Sequence, residues 1–175
     1  MGVVRKQRIQ ALQKKILDRY AKHKRVLPWR DSFDGYKVLV SESMLQQTQV
    51  DRVIPKFNAF MQRLPTMNDL AEVDKVTLLT LWSGLGFNAR ALRLQQCAQE
   101  VCTRFGGKLP KDRDVLLSLP GIGPYTSASL LAFTYNIAAP VIDTNIRRVL
   151  LHELQIEEPS TLQEREALAL ACIPE

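Results

Sequence analysis

The sequence predicts an all-α fold. Apolar residues recur at helical spacing through most of the 175 residues, cap and breaker residues fall between those runs, and no segment shows convincing strand alternation. Hydrophobic residues make up 46% of the chain, which is enough to bury a core and excludes a disordered polymer. There is no internal repeat.

Taken in order, residues 5–24 form an amphipathic helix with Ile9, Leu12, Ile16 and Tyr20 on one face. Leu27-Pro28-Trp29-Arg30 ends it, because the residue before a proline is pushed out of the helical region. After the loop Asp31-Ser32-Phe33-Asp34-Gly35, the chain is helical from Tyr36 to about Thr48 and again from about Asp51 to Arg63, with Pro65 as the break. Thr66 can cap a short helix with Asp69 at its third position, and Asp74 can cap another that reaches Trp82. Ser83-Gly84-Leu85-Gly86-Phe87 is a loop, and a long helix follows to Phe105 before the turn Gly106-Gly107.

Asp114 to Ser118 reads as a short helix, and Ala128, Leu131, Ala132 and Tyr135 mark the next one. Between them lies Leu119-Pro120-Gly121-Ile122-Gly123. Two glycines one residue apart predict a tight turn with positive φ, and they leave bare N–H groups at a helix start, where an anion binds. Gly-x-Gly by itself reads more readily as an ordinary inter-helix turn. After Asp143, the residues Ile146, Val149, Leu150 and Leu154 mark another helix, and Ser160 with Gln163 makes a capping box for a last one. That helix runs into the C-terminus without a closing cap, so the chain reads as one that stops early.

The net charge is +6, and it is spread unevenly. Ten basic residues (Arg5, Lys6, Arg8, Lys14, Lys15, Arg19, Lys22, Lys24, Arg25, Arg30) face only Asp18 in the first 30 residues. From Glu153 onward six acids accompany Arg165 alone. A basic arm suits a polyanion, though a solvated helix face would look the same. No apolar run approaches membrane-spanning length and no apolar signal core follows the N-terminus, so a soluble intracellular protein is expected. Cys97, Cys102 and Cys172 give neither a disulfide framework nor a metal spacing; the first two fall on an apolar stripe with Leu94, Ala98, Val101 and Phe105 and read as core. His23 and His152 stand alone, with nothing to support them as ligands.

Two acids stand apart from the charged surface. Glu42 lies four residues after Val38, three after Leu39 and three before Leu45, so on a helix it points where apolar neighbours point. Burial there would raise its pKa, as a general acid requires. Glu42 could also form a wet edge with Gln46 and Gln49. Asp143 follows the apolar Ala139-Pro140-Val141-Ile142 and reads as an N-cap to Thr144-Asn145-Ile146.

The chain from LPWR through SESMLQQTQV to VIPKFNAFMQRLP, then LWSGLGFNARA, LPGIG and VIDTNIRRVL, resembles the helix-hairpin-helix (HhH-GPD) DNA glycosylase superfamily and within it the MutY-type adenine glycosylases. The resemblance covers roughly residues 27–152. It implies an endonuclease III-like helical fold in which residues 1–27 are a basic helix of an incomplete second lobe, 28–152 the glycosylase core, and 153–175 the truncated start of the C-terminal lobe. It also implies a monofunctional base-excision-repair enzyme that hydrolyses the N-glycosidic bond of adenine opposite guanine or 8-oxoguanine. Glu42 would protonate the leaving base and Asp143 would stabilise the oxocarbenium ion. The cap's N–H donors would help to keep Asp143 ionised.

Other roles carry over by position. Tyr125 stands where bifunctional members carry a Schiff-base lysine, so no imine and no strand cleavage are expected from that site. Tyr125 can line the pocket, and Asn145 positions the catalytic groups. Gln47 is the wedge that fills the gap left by an extruded base, Leu45 lines the pocket, and Phe87 stacks beside the opposing purine. Gly121 and Gly123 contact phosphate through their N–H groups, and the carbonyls of Leu117, Leu119 and Ile122 would hold a monovalent cation.

The family usually carries a [4Fe-4S] cluster on four closely spaced cysteines, and this chain encodes no such set. Asn88 replaces the second tyrosine of the family's GLGYY loop, and Pro124 replaces a frequent arginine. The implied partner is double-stranded DNA with a mismatched or oxidised base pair, bound by a monomer without a membrane, in the cytoplasm at the nucleoid if the source is bacterial. Two readings stay open beside it: a thymine or uracil mismatch glycosylase of the same superfamily, and a non-catalytic helix-hairpin-helix module or inactive fragment.

Overall fold

The computed structural model describes residues 3–30, 32–157, 159 and 161–174, and at residues 3–5 the backbone alone. Among the described residues there are ten helices and no strand: α1 (Val3–His23), α2 (Gly35–Leu45), α3 (Val50–Arg63), α4 (Met67–Glu72), α5 (Lys75–Trp82), α6 (Ala89–Phe105), α7 (Arg113–Leu117), α8 (Pro124–Tyr135), α9 (Thr144–Leu154) and α10 (Leu162–Ala171). None of them is long and apolar enough to cross a membrane. The chain divides into two compact units, Leu27–Ile137 and a second that joins Met1–Val26 to Ala138–Glu175. Residues 138–152, grouped with the core by sequence, therefore fall in the second unit.

In the first unit α2 packs against α3, α6 and α8. Asp34 starts it by accepting the Tyr36 N–H at 2.8 Å. Val38, Leu39, Val40 and Met44 are then buried. The core beside them holds Phe57 and Phe60 of α3 and Trp82 of α5, with Phe60 and Trp82 edge to face at 6.3 Å. Burying each such aromatic contributes roughly 2–3 kcal/mol. Local caps set the remaining boundaries. Thr66 and Asp69 form the expected capping box, Asp74 accepts the Thr77 N–H at 2.9 Å, and Asp112 starts α7 one residue earlier than the pattern implies. Gly106 ends α6 in the left-handed region at φ 60°, and the Gly107 N–H donates back to Val101.

Four expectations are corrected here. Periodicity carries α2 to Thr48, but the helix stops at Leu45, where Gln46 turns extended and Gln47 left-handed. In the second unit Ile9 and Leu12 of α1 pack with Leu150, Leu154, Leu168 and Ala169, whereas Ile16 and Tyr20 on the same stripe are exposed. On α9, Leu150 and Leu154 reach this cluster, while Ile146 and Val149 are exposed. The last helix is capped by Thr161 and Glu164, one residue after the predicted pair, and Ser160 lies outside the described residues.

Candidate active site

Glu42 sits in the middle of α2 at the border of its buried face. It is half-buried, while Gln46 and Gln49 on the supposed wet edge are exposed. Loss of water raises its carboxyl from 4.5 to about 7, and the nearby Arg30 cation partly offsets that rise. No hydrogen bond to the carboxyl occurs among the described residues. A group in this condition holds its proton for much of the time near neutral pH and can give it to a base.

Two turns flank the C-terminal end of α2. In the first, Leu45 is half-buried and Gln47 is exposed with φ 56°. The second is the loop after α5, where Phe87 is exposed at φ 49°. A left-handed backbone is costly for a residue with a side chain, and two such residues persist only where their surroundings impose the conformation.

Arg90 imposes it. Its Nη1 donates to the carbonyls of Ser43 at 2.8 Å, Met44 at 3.1 Å and Gln46 at 2.6 Å. Nη2 donates to Leu85 at 2.9 Å, Gly86 at 3.0 Å and the Thr48 hydroxyl at 3.3 Å. The guanidinium also lies 5.5 Å from the centre of the Trp82 ring and 5.7 Å from that of Phe87. Arg90 thus takes carbonyls that the end of α2 leaves open and ties them to the second loop. Reasoning from sequence missed this residue. The available signal was a cation in the first turn of α6, the end where the helix dipole disfavours one.

The hairpin runs from α7 to α8. Gly121 has φ 78°, which favours glycine, and a Cβ there would lie 3.2 Å from the Cβ of Arg93, a tight contact. Gly123 departs from expectation: its φ of −98° is ordinary extended backbone, and its role is to lead into Pro124 at the start of α8. Neither glycine's N–H donates a backbone hydrogen bond among the described residues, which leaves both open to an anion. Tyr125 stands exposed in the first turn of α8. Of the three carbonyls assigned to a cation, that of Leu119 accepts the Ile122 N–H at 3.2 Å and keeps one lone pair, while those of Leu117 and Ile122 accept none from the backbone among the described residues. Carbonyl oxygens with open lone pairs are the donor type that a monovalent cation takes. A small cavity joins the hairpin to the end of α2, lined by Ser43, Gln46, Arg90, Arg93, Pro120 and Gly121. At about 40 Å³ it has room for water and none for a nucleobase.

In the second unit Asp143 is the N-cap of α9. One carboxylate oxygen accepts the Ile146 N–H at 2.6 Å and the other the Asn145 side-chain amide at 3.4 Å. The structure therefore brings Asp143 and Asn145 together. Cys97 is buried in α6, and Cys102 and Cys172 are half-buried. No group of three His, Cys, Asp or Glu among the described residues is arranged for a metal.

Residues 40–174 match the model of the HhH-GPD superfamily base excision DNA repair proteins. The adenine DNA glycosylase of Mycolicibacterium smegmatis is 37% identical over 163 residues, which covers 91% of this chain and 56% of that protein. The adenine DNA glycosylase of Homo sapiens is 37% identical over 174 residues, covering 93% of this chain and 32% of that protein. The chain thus spans about half, or less, of the length of these relatives. Among solved structures, a thermostable thymine-DNA glycosylase superimposes with a TM-score of 0.87 at 25% identity, over 96% of this chain and 79% of the other. Endonuclease III in a non-covalent complex with DNA superimposes with a TM-score of 0.81 at 19% identity, over 97% and 78%, a likeness of fold.

Proposed function

The chain belongs to the HhH-GPD superfamily of base excision DNA repair proteins, and from that premise we propose that it is a monofunctional adenine DNA glycosylase acting, as a monomer, on adenine mispaired with guanine or 8-oxoguanine. The observation that carries this reading is the half-buried Glu42 carboxyl, raised to about 7 within the run SESMLQQTQV.

Glu42 gives its proton to a ring nitrogen of the extruded adenine. The C1′–N9 bond then breaks with its electron pair leaving on the base, and positive charge spreads over C1′ and the sugar's ring oxygen. Asp143, held by the Ile146 N–H and Asn145, stabilises that cation. Water adds at C1′ and loses a proton, leaving an abasic site. Tyr125 offers no amine, so no Schiff base forms there and the strand stays intact. Gln47 fills the gap left by the base, Leu45 lines the base pocket, and Phe87 stacks beside the opposing purine. The N–H groups of Gly121 and Gly123 take a phosphate. The carbonyls of Leu117, Leu119 and Ile122 would hold a monovalent cation, which would supply positive charge for the same strand.

One observation favours a second reading, a thymine mismatch glycosylase: the similarity of fold to the thermostable thymine-DNA glycosylase. Single-turnover base release separates the two, using duplexes with A opposite 8-oxoguanine, A opposite G and T opposite G. Adenine release that is lost in Glu42→Gln and in Asp143→Asn, with no strand break before alkali, supports the first. Thymine release moves the protein to the second. DNA binding without release of either base leaves a binding module.

A further inference from the structure

We infer that Arg90 is a positioning residue that locks the turn carrying Gln47 to the loop carrying Phe87, so that the two exposed DNA-facing side chains move as one body. The inference rests on the proposed function for what that body does, and on geometry alone for its existence.

Two independent observations point the same way. First, one guanidinium bonds both segments: Nη1 reaches Gln46 at 2.6 Å on the first turn and Nη2 reaches Leu85 at 2.9 Å on the second loop. Thr48 of the first turn shares Nη2 and also donates weakly to the Leu85 carbonyl at 3.4 Å. Second, the backbone on each side is left-handed at a residue with a side chain, Gln47 and Phe87. Each of these residues follows a carbonyl that Arg90 holds, that of Gln46 before Gln47 and that of Gly86 before Phe87. The Phe87 ring lies over the same cation, so its orientation is tied to the charge that caps α2.

A planar fork with donors on two nitrogens spans both segments in fixed geometry; an ammonium has three donors on one nitrogen and cannot hold all six acceptors. Arg90→Lys keeps the charge and the stem but loses the bridge. Release of the bridge would free the wedge and the stacking ring separately. Extrusion of a base would then be impaired while the chemistry at Glu42 stayed intact.

The test is amide hydrogen exchange on the whole protein, at Thr48 and Leu85, whose N–H groups close the two turns onto Leu45 and Trp82. In R90K both amides should exchange roughly tenfold faster or more, by a similar factor, since each turn loses a charge-assisted hydrogen bond. Arg104→Lys, on the exposed far end of the same helix, should change neither. Phe87→Ala alters only an exposed side chain and therefore folds. It should speed exchange at Thr48 by roughly two- to fivefold, because the lost ring contact loosens the shared cation. Exchange at one turn that ignores the other in both R90K and F87A would overturn the coupling.

A second readout uses 2-aminopurine in place of the target adenine. R90K should lose the fluorescence rise of extrusion that Glu42→Gln retains; equal signals in the two variants would contradict the positioning role. If the wild type gives no extrusion signal, it is the functional reading that fails, and the exchange data still decide the coupling.

Discussion

The two carboxyls assigned to one reaction are treated in opposite ways by their own helices. Glu42 lies mid-helix at the edge of an apolar face, with its charge disfavoured by loss of water. Asp143 lies at a helix start with an N–H donor on each oxygen. The first environment costs stability whenever the group ionises, and the second adds stability by closing a cap. Position along a helix thus gives two acids of similar chemistry opposite surroundings, one short of water and the other capped by donors.

The largest expected effect is on catalysis. Glu42→Gln should lower single-turnover adenine release by roughly 10²–10⁴-fold, the usual contribution of a general acid. The same assay run against pH should show the wild-type rate falling as pH rises through about 7, where Glu42 loses its proton. A rate that is flat from pH 6 to about 9 would remove Glu42 from that role.

Stability should reverse the order of the two sites. The Glu42 carboxyl binds its proton more tightly folded than unfolded, so stability falls as pH rises from 4.5 to about 7 and the penalty stays above that. Glu42→Gln should therefore be more stable than wild type at about pH 8, by roughly 1–3 kcal/mol, with the difference gone near pH 4. Denaturant unfolding at the two pH values checks this. Asp143→Ala should instead lose about 1 kcal/mol through the missing cap, measured the same way. The smallest effect separates capping from charge: Asp143→Asn should cost only a few tenths of a kcal/mol, because asparagine caps as well as aspartate, while base release still collapses.

The contrast also explains what was legible in advance. The Asp143 cap, like those of Thr66 and Asp74, is an interaction over three residues, and the sequence around it contains every atom involved. The all-α fold follows from similar local signals. Glu42's raised carboxyl comes from burial in the folded chain, where α2 packs against α3, α6 and α8, and periodicity alone favoured a wet edge. The early end of α2 belongs to the same class, since the carbonyls of Ser43, Met44 and Gln46 are taken by Arg90 from 44 to 47 positions away. The local hint, a cation in the first turn of α6, does not say which carbonyls it would reach. The exposed Ile16 and Tyr20 make the converse case, in which a helical stripe continues past the cluster formed by Ile9 and Leu12.

The most direct measurement is the titration of the Glu42 carboxyl itself, by NMR of side-chain carboxyl carbons in protein labelled at glutamate, with Glu42→Gln to assign the signal. A midpoint near 7 is the predicted result, since burial outweighs the Arg30 cation. A midpoint near 4.5, the ordinary value for a solvated glutamate, would contradict the account by leaving Glu42 ionised where the reaction needs its proton.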